Sequence, residues 1–165
     1  MSKGAICFST NNEYYTPKEL VGYFGKFEYD PATTDEKAKD LCINNYDTIE
    51  TDGLLQDWSK YKRIWINPPF TIKHKFFEKA CNTYLENKDA EIYILFPIEF
   101  LTTKRFFESV KKVGGGKIYL PNGRIKFQPG LKGRTKSPAF GSVVFKIQDK
   151  WELELLNLEI LKGHE

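Results

Sequence analysis

RIWINPPF, at residues 63–70, is the stretch that decides the fold of this 165-residue chain. Its apolar run favours a buried strand, and the Asn-Pro-Pro that follows ends the strand, because proline lacks a backbone donor and restricts the residue before it. Residues 73–86 then place apolar and aromatic side chains at helical spacing, and residues 91–96 form a second apolar run closed by Pro97. Alternation of strand and helix predicts an α/β fold with a mostly parallel sheet, whose ligands bind at the carboxyl ends of the strands.

The same alternation extends along the chain. Thr16-Pro17 predicts a helix N-terminus with proline in the first turn, and Thr102 predicts another, with Gly114 ending that helix. Helices are predicted at 16–24, 35–41, 73–86, 102–113 and 151–161, and strands at 26–30, 63–66, 91–96, 117–120, 124–127 and 140–147. We therefore predict a single Rossmann-like domain of residues 1–165, with its central sheet flanked by helices. Residues 13–147 would be its core and 148–165 an acidic C-terminal segment.

The amino-acid composition limits which classes of protein this chain can belong to. With 41% apolar and 15% aromatic residues, the chain has enough side chains for one sizeable core. Its first residues carry no apolar leader, and no run approaches the roughly 20 apolar residues that span a bilayer, so a cytoplasmic location is expected. Cys7, Cys42 and Cys81 are widely separated and lack histidines at ligand spacing, which predicts reduced, mostly buried thiols and no metal. His74 and His164 are predicted to lie on the surface.

Positive charge is concentrated in one part of the chain. Residues 104–136 hold ten lysines and arginines against one acid, whereas residues 149–165 hold five acids and two lysines. The basic part interleaves with aromatic residues and includes a Gly- and Pro-rich segment at 128–138, a composition that suits phosphate contact. The sequence therefore favours a polyanion over a peptide as the partner.

Asn67-Pro68-Pro69-Phe70 also has the properties of a clamp for a planar amine. The lone pair of such an amine is delocalised, so the nitrogen is a poor nucleophile unless two acceptors hold its N–H groups out of plane. The Asn67 side-chain oxygen and the Pro68 carbonyl are two such acceptors, and Phe70 offers an aromatic face for stacking. Asn-Pro-Pro is equally an ordinary way to end a strand, so a plain turn and a clamp both stay open on these residues alone.

Further motifs stand in order around this tetrapeptide. They are Tyr15-Thr-Pro17, Asp30-Pro-Ala32, Asp52-Gly-Leu-Leu-Gln-Asp-Trp58, Asn67-Pro-Pro-Phe70, Phe96-Pro97, Gly123-Arg-Ile-Lys-Phe127 and Ser137-Pro-Ala-Phe-Gly-Ser142. In this order the chain resembles amino-methyltransferases that use S-adenosylmethionine. More narrowly, it resembles the small phage-type DNA N6-adenine methyltransferases of the Dam type, over residues 13–147. The resemblance implies a Rossmann-like methyltransferase fold, S-adenosylmethionine as cofactor and DNA as substrate.

The resemblance also implies roles for the matching residues. Cofactor contacts would come from Tyr15, Thr16, Pro17, Asp30, Ala32, Asp52 and Asn67. Within that set, Thr16-Pro17 would hold the methionine part, Asp30 would lie near the amino group, and Asp52 would approach the adenine moiety or the outer rim of the site. Catalysis would rest on Asn67, Pro68, Pro69 and Phe70, which would receive an adenine flipped out of the duplex. DNA contacts would come from Arg124, Lys126, Lys132, Arg134 and Lys136.

One departure from the wider group is visible. Most enzymes that use S-adenosylmethionine have a Gly-rich loop after the first strand, whereas residues 30–35 read DPATTD. Small phage-type relatives also tend to lack that loop, so the departure fits the narrower family. Other planar amines remain alternatives, namely the cytosine N4 amine, a guanine amine in RNA and a protein glutamine amide. A catalytically silent DNA-binding module is the alternative from a different class, and Trp58 is expected in the core or in the cleft wall.

Overall fold

The computed structural model describes residues 15–127 and 140–162. Its helices are Lys18–Tyr23 (α1), Asp35–Asp40 (α2), Lys73–Glu86 (α3) and Lys104–Val113 (α4). Its strands are Tyr29–Asp30 (β1), Asn45–Tyr46 (β2), Arg63–Ile66 (β3), Glu91–Pro97 (β4), Gly115–Pro121 (β5), Ser142–Gln148 (β6) and Glu152–Leu156 (β7). Short 3-10 turns occupy Gly53–Leu55, Phe70–Ile72, Ile98–Thr102 and Leu158–Lys162.

The strands form one sheet in the order β2-β1-β3-β4-β6-β5-β7. The four strands from β2 to β4 run parallel, β6 is antiparallel to both of its neighbours, and β5 and β7 pair in parallel. The predicted α/β fold with a mostly parallel sheet is confirmed. The chain passes from β1 to β2 in one direction and then to β3 on the opposite side of β1, so the strand order reverses between β1 and β3. In open α/β sheets, ligands bind in the crevice at such a switch point.

Both faces of the sheet are covered by apolar side chains. One face carries Ile64, Ile66 and Phe145 and packs against α3 and α4. The other carries Trp65 and Val144 and packs against the apolar residues of α1; we call it the α1 face. Because side chains alternate along a strand, every residue of β3 and β6 can be assigned to one of these faces.

An aromatic cluster holds α3 and α4 on the sheet. The ring of Phe77 from α3 stacks on Phe106 from α4 with centroids 5.0 Å apart, and it meets Phe145 of β6 edge-on at 5.6 Å. Phe77 and Phe145 are both fully buried. Such pairs contribute about 0.5–1.5 kcal/mol each beyond the area that they bury. The two helices that follow β3 and β4 are therefore fixed rigidly, and so are the turns that lead into them.

Three local predictions are corrected. The cap of α4 is Thr103, whose hydroxyl accepts from the Phe106 N–H at 3.2 Å, and Thr102 belongs to the preceding turn. The helix predicted at 151–161 is wrong, because β7 and a 3-10 turn occupy this segment. No strand forms at 124–127, where Phe127 makes only an isolated bridge, and the short β2 was not predicted.

The cysteines and histidines divide by burial. Cys81 is buried as predicted, and burial raises the pKa of its thiol to about 12, whereas Cys42 is exposed, contrary to the prediction. His74 is partly buried, and Cys7 and His164 lie outside the described residues. Across residues 15–127 and 140–162, no helix has the length and apolar character needed to cross a bilayer, and no three metal-ligating side chains cluster.

Candidate active site

The carboxyl ends of β1 and β3 meet at the switch point. Asp30 is the last residue of β1 and Asn67 directly follows β3, and the two strands pair in parallel with Tyr29 opposite Ile64. Both polar residues therefore lie at one edge of the sheet, on either side of the point where the strand order reverses, as the sequence predicted. The site is built outward from these two side chains.

A hydrogen bond fixes the orientation of the Asn67 side chain. Its Nδ2 donates to the Thr16 Oγ1 at 2.8 Å, across 51 positions of sequence. This bond turns the amide nitrogen toward Thr16 and makes Oδ1 the acceptor end of the side chain. Thr16 is 2% exposed, and it does not cap α1, which begins at Lys18 without a side-chain cap. The predicted capping role of Thr16 is replaced by this bond to Asn67.

The remainder of the tetrapeptide is anchored by packing. Pro68 and Pro69 are buried, and the partly buried Phe70 begins a 3-10 turn. The Phe70 ring meets the Phe140 ring edge-on, with centroids 4.9 Å apart and planes at 83°. Lys73 donates from Nζ to the Phe70 carbonyl oxygen at 2.9 Å, and burial lowers the pKa of its ammonium group. The sequence did not single out Phe140 or Lys73 as neighbours of this turn, because each contact depends on how the backbone folds.

Asp30 is a buried carboxyl group with few nearby groups that stabilise its negative charge. It is 2% exposed, and its Oδ1 accepts from the Ala32 N–H at 2.9 Å. Burial raises the pKa of this carboxyl to about 7, against the opposing effects of the Ala32 N–H and of the positive charge on Lys37. The Lys37 ammonium bonds Asp40 at 2.9 Å instead. Within the described residues, Asp30 therefore has a cation nearby but no hydrogen bond to one.

Asp52 stands beside the end of β1 because of the glycine that follows it. A side-chain carbon on Gly53 would come within 1.9 Å of the Pro31 carbonyl oxygen, so only glycine allows this close approach. Trp58 donates from its indole nitrogen to the Gly53 carbonyl at 2.8 Å and is 1% exposed, which places it in the core. Asp52 itself is exposed, has a φ of 52° and accepts from the Leu54 N–H at 3.1 Å.

Tyr15 lies next to the start of α2. Its hydroxyl is 3.2 Å from the Thr34 Oγ1, and the Lys37 ammonium lies 5.8 Å from the centre of its ring. Thr34 caps α2 by accepting from the Lys37 N–H at 3.1 Å. The structure thus gathers the predicted cofactor residues into two groups, one around Asp30 and one around the bond between Thr16 and Asn67.

A separate cavity of about 310 Å³ opens beside β1 and β2. It is lined by Tyr29, Asn44, Asn45, Tyr46, Asp47, Gln56, Asp57, Lys60 and Tyr61. The Tyr29 and Tyr61 rings stack in its wall, with centroids 4.3 Å apart and planes at 11°. None of Thr16, Asp30, Asn67 and Phe70 lines it, so this cavity is distinct from the clamp.

Positive charge gathers near the start of α3, close to the Asn-Pro-Pro-Phe turn. The pKa of His74 is lowered by partial burial and then by the charges of Arg105, Lys75 and Lys73. Lys75 and Arg105 are exposed, and they lie at the beginnings of the helices that follow β3 and β4. The basic stretch at 104–136 that the sequence singled out includes Arg105, whereas sequence reasoning did not select Lys75, although a basic residue soon after the Asn-Pro-Pro-Phe turn is a signal that the sequence contains.

The basic residues that the sequence did select are only partly described. Arg124 and Lys126 are exposed, after the end of β5. Lys132, Arg134 and Lys136 lie outside the described residues. The structure therefore places two of the five predicted DNA contacts on the surface.

Comparisons with known proteins identify the family of the chain. A family model described as DNA N-6-adenine-methyltransferase (Dam) matches residues 7–162. The chain is 28% identical over 158 residues to the DNA N-6-adenine-methyltransferase of Escherichia phage T1, covering 85% of this chain and 64% of that protein. A crystal structure described as a modification subunit of a type I restriction enzyme from Vibrio vulnificus YJ016 matches with a TM-score of 0.45 and 12% identity, over 91% of this chain and 48% of that one. The chain thus spans about two thirds of its phage relative, and the structural likeness is too distant to carry an argument.

Proposed function

Because the chain belongs to the DNA N-6-adenine-methyltransferase (Dam) family, we propose that it transfers a methyl group from S-adenosylmethionine to the N6 amine of adenine in DNA, as one methyltransferase domain. One observation carries this proposal. The Asn67 amide is oriented by Thr16 at the switch point of the sheet, on the opposite side of that point from the buried carboxyl of Asp30. A plain strand-ending turn does not require a distant, buried hydroxyl to fix its asparagine.

The residues around Asp30 fit the proposed cofactor. A buried carboxyl group whose hydrogen bond comes from a neutral N–H favours a ligand that brings a positive charge and further donors. S-adenosylmethionine has an amino group of this kind and, when bound, supplies a methyl group activated by its sulfonium. Asp30 would receive the amino group, Thr16 and Pro17 would lie along the methionine part, and Tyr15, Ala32 and Asp52 would complete the contacts.

The clamp residues account for the proposed transfer to an amine. The Asn67 Oδ1 and the Pro68 carbonyl would each accept one N–H of the adenine amine, which holds the N–H groups out of the ring plane and localises the lone pair on the nitrogen. Phe70 would stack on the flipped base. The new bond to nitrogen would form as the methyl group leaves the sulfonium sulfur, and these two preorganised acceptor dipoles would stabilise the positive charge on the nitrogen until one N–H proton is lost to solvent. The residues in place therefore act by positioning and electrostatics.

The charge around the clamp supports DNA as the substrate. Lys75 and Arg105 are exposed beside the turn that carries Phe70, and Arg124 and Lys126 add charge after β5. Phosphate contacts of this kind position a duplex without reading its sequence. Lys132, Arg134 and Lys136 would add further contacts. A DNA substrate also agrees with the cytoplasmic location expected from the sequence.

The experiment that tests the proposal is transfer of a labelled methyl group to unmethylated duplex DNA, with the product nucleoside identified by mass. We expect N6-methyladenine from the wild type and loss of transfer in Asn67→Ala, with cofactor binding nearly unchanged. Asn82→Ala, on the exposed side of α3, is the matched control and should behave as the wild type.

Other outcomes would replace the proposal. N4-methylcytosine as the product would assign the other DNA amine. Cofactor binding without transfer to DNA would direct the assay to RNA and to glutamine peptides, and absence of cofactor binding would favour a silent DNA-binding module.

A further inference from the structure

Ser142 presents an unusual hydroxyl group. It is the first residue of β6 and is 4% exposed. Among the described residues, its Oγ is the buried side-chain polar atom that makes no hydrogen bond. A buried hydroxyl without a partner destabilises a fold, because it has lost its bonds to water and gained none. Packing alone would be served at least as well by alanine, so the hydroxyl calls for a partner that comes from outside the chain.

The position of Ser142 relates it to the clamp. Ser142 lies two residues before Val144 on β6, and Asn67 lies two residues after Trp65 on β3, so alternation puts both side chains on the α1 face. β4 lies between their strands, with Pro97 opposite Ser142. Neighbouring strands are about 4.8 Å apart, so the two backbones are separated laterally by about 10 Å. Ser142 is therefore level with Pro97 at the end of β4 and Asn67 is about two residues short of that level, on the other side of β4, at the same edge and on the same face of the sheet.

The two residues before Ser142 tie this segment to the clamp. Phe140 meets the Phe70 ring edge-on at 4.9 Å, and the Gly141 carbonyl accepts from the Ile98 N–H at 2.9 Å just beyond β4. Residues 140–142 are thus held in place between the stacking residue of the clamp and the end of β4. A base that stacks on Phe70 and is held by Asn67 would have this segment as its nearest neighbour on the side of β6.

We propose that the Ser142 hydroxyl donates a hydrogen bond to a ring nitrogen of the flipped adenine, which makes Ser142 a residue that determines base specificity. This inference rests on the proposed function. The adenine amine is flanked by the ring nitrogens N1 and N7, and both are acceptors, so a donor at the far side of β4 complements the two acceptors at Asn67 and Pro68. The hydroxyl finds its partner only when the base is bound, and the binding site is incomplete without it.

The test compares Ser142→Ala with the wild type on duplexes that carry adenine, 1-deaza-adenine or 7-deaza-adenine at the target position. We expect Ser142→Ala to lower kcat/KM on adenine by roughly tenfold, the loss typical of one buried hydrogen bond to substrate, while its Tm stays equal or rises. One deaza analogue should lower kcat/KM by a similar factor for the wild type and cause no further loss for the variant. Ser109→Ala, which changes a buried serine of α4, is the matched control and should leave kcat/KM unchanged.

Three results would overturn the inference. These are an unchanged kcat/KM for Ser142→Ala, a loss that is accompanied by a fall in Tm, and a full additional loss with both analogues. Absence of methyl transfer by the wild type itself would instead refute the proposed function, and the inference with it, so the two failures are distinguishable.

Discussion

Replacing Asp30 by asparagine should remove a loss of stability that the wild type suffers as the pH rises. Burial raises the pKa of this carboxyl from 3.8 to about 7. The folded state therefore keeps a proton that the unfolded chain has already released between about pH 4 and pH 7. The stability contributed by the protonated form is fully present below pH 4 and is lost as the pH rises through 7. Asparagine has a similar shape but no charge, so Asp30→Asn removes this dependence.

The magnitude follows from the two pKa values. Between pH 5 and pH 8, the raised pKa of Asp30 should cost the wild type roughly 2–3 kcal/mol of unfolding free energy, which the variant does not lose. For a chain of this size, the difference in Tm between variant and wild type should shift by roughly 5–10 °C in favour of the variant over that range. The variant should also bind S-adenosylmethionine roughly 10- to 100-fold more weakly at pH 8, because the charged partner of the amino group is gone.

Thermal unfolding at pH 5 and pH 8, with and without the cofactor, measures both effects. Asp89→Asn, at an exposed turn, is the matched control and should follow the wild type at both pH values. The wild type should bind the cofactor more tightly as the pH rises from 6 to 8, and binding should release a proton, which calorimetry in two buffers detects. If Asp30→Asn differs from the wild type by the same unfolding free energy at pH 5 and pH 8, the buried charge of Asp30 does not destabilise the folded state, and the reasoning fails.

Two further predictions test the site directly. Thr16→Val removes the acceptor for the Asn67 Nδ2, so kcat should fall by roughly tenfold while Thr16→Ser retains activity; equal activity of the valine variant would show that Asn67 does not depend on this bond. Arg105→Ala combined with Lys75→Ala should weaken DNA binding and lower the salt dependence of affinity by about one ion per lost phosphate contact, with kcat at saturating DNA unchanged. Lys88→Ala, exposed beyond the far end of α3, is the control for loss of one positive charge away from the Asn-Pro-Pro-Phe turn, and an unchanged salt slope in the double variant would place the DNA elsewhere.

Local patterns predicted the central part of the fold. Residues 64–66 and 92–96 are continuous apolar runs, which have few alternatives to a buried strand, and α3 was predicted with its observed bounds, Lys73–Glu86. The positions of Asp30 and Asn67 at neighbouring strand ends follow from the same patterns, because parallel strands present their carboxyl ends at one edge. These elements could be predicted from the sequence because a strand that is buried on both faces of the sheet requires an unbroken run of apolar residues.

Where strand pairing decides the structure, local patterns predicted less. Trp151, just before β7, alternates with Leu153 and Leu155 of β7, and all three remain exposed at the edge of the sheet. Leu155 also fits a helical spacing with Leu158 and Leu161. Only the parallel partner β5 resolves this ambiguity, and that partner lies about 35 positions earlier in the chain. The two-residue β2 has no pattern of its own.

Some site residues could not be found without the backbone path. Thr102 and Thr103 are equivalent as caps until the preceding turn is known to end at Thr102. Thr16 fits a helix cap equally well until its bond to Asn67 is seen. The importance of Ser142 depends on the absence of a partner among the described residues, which no sequence pattern can display.

The two halves of the sheet differ in how much backbone pairing holds them. β1 and β2 contribute two residues each, whereas β4, β5 and β6 contribute seven each. The side that carries Asp30 is therefore the less cohesive part of the molecule, and it depends on contacts such as the one between Gly53 and Pro31. A ligand bound there would stabilise the half of the sheet that has the fewest backbone hydrogen bonds, in addition to taking part in the reaction. The protein would then be at its most rigid when loaded, and product departure would return that half to its looser state at the end of every turnover.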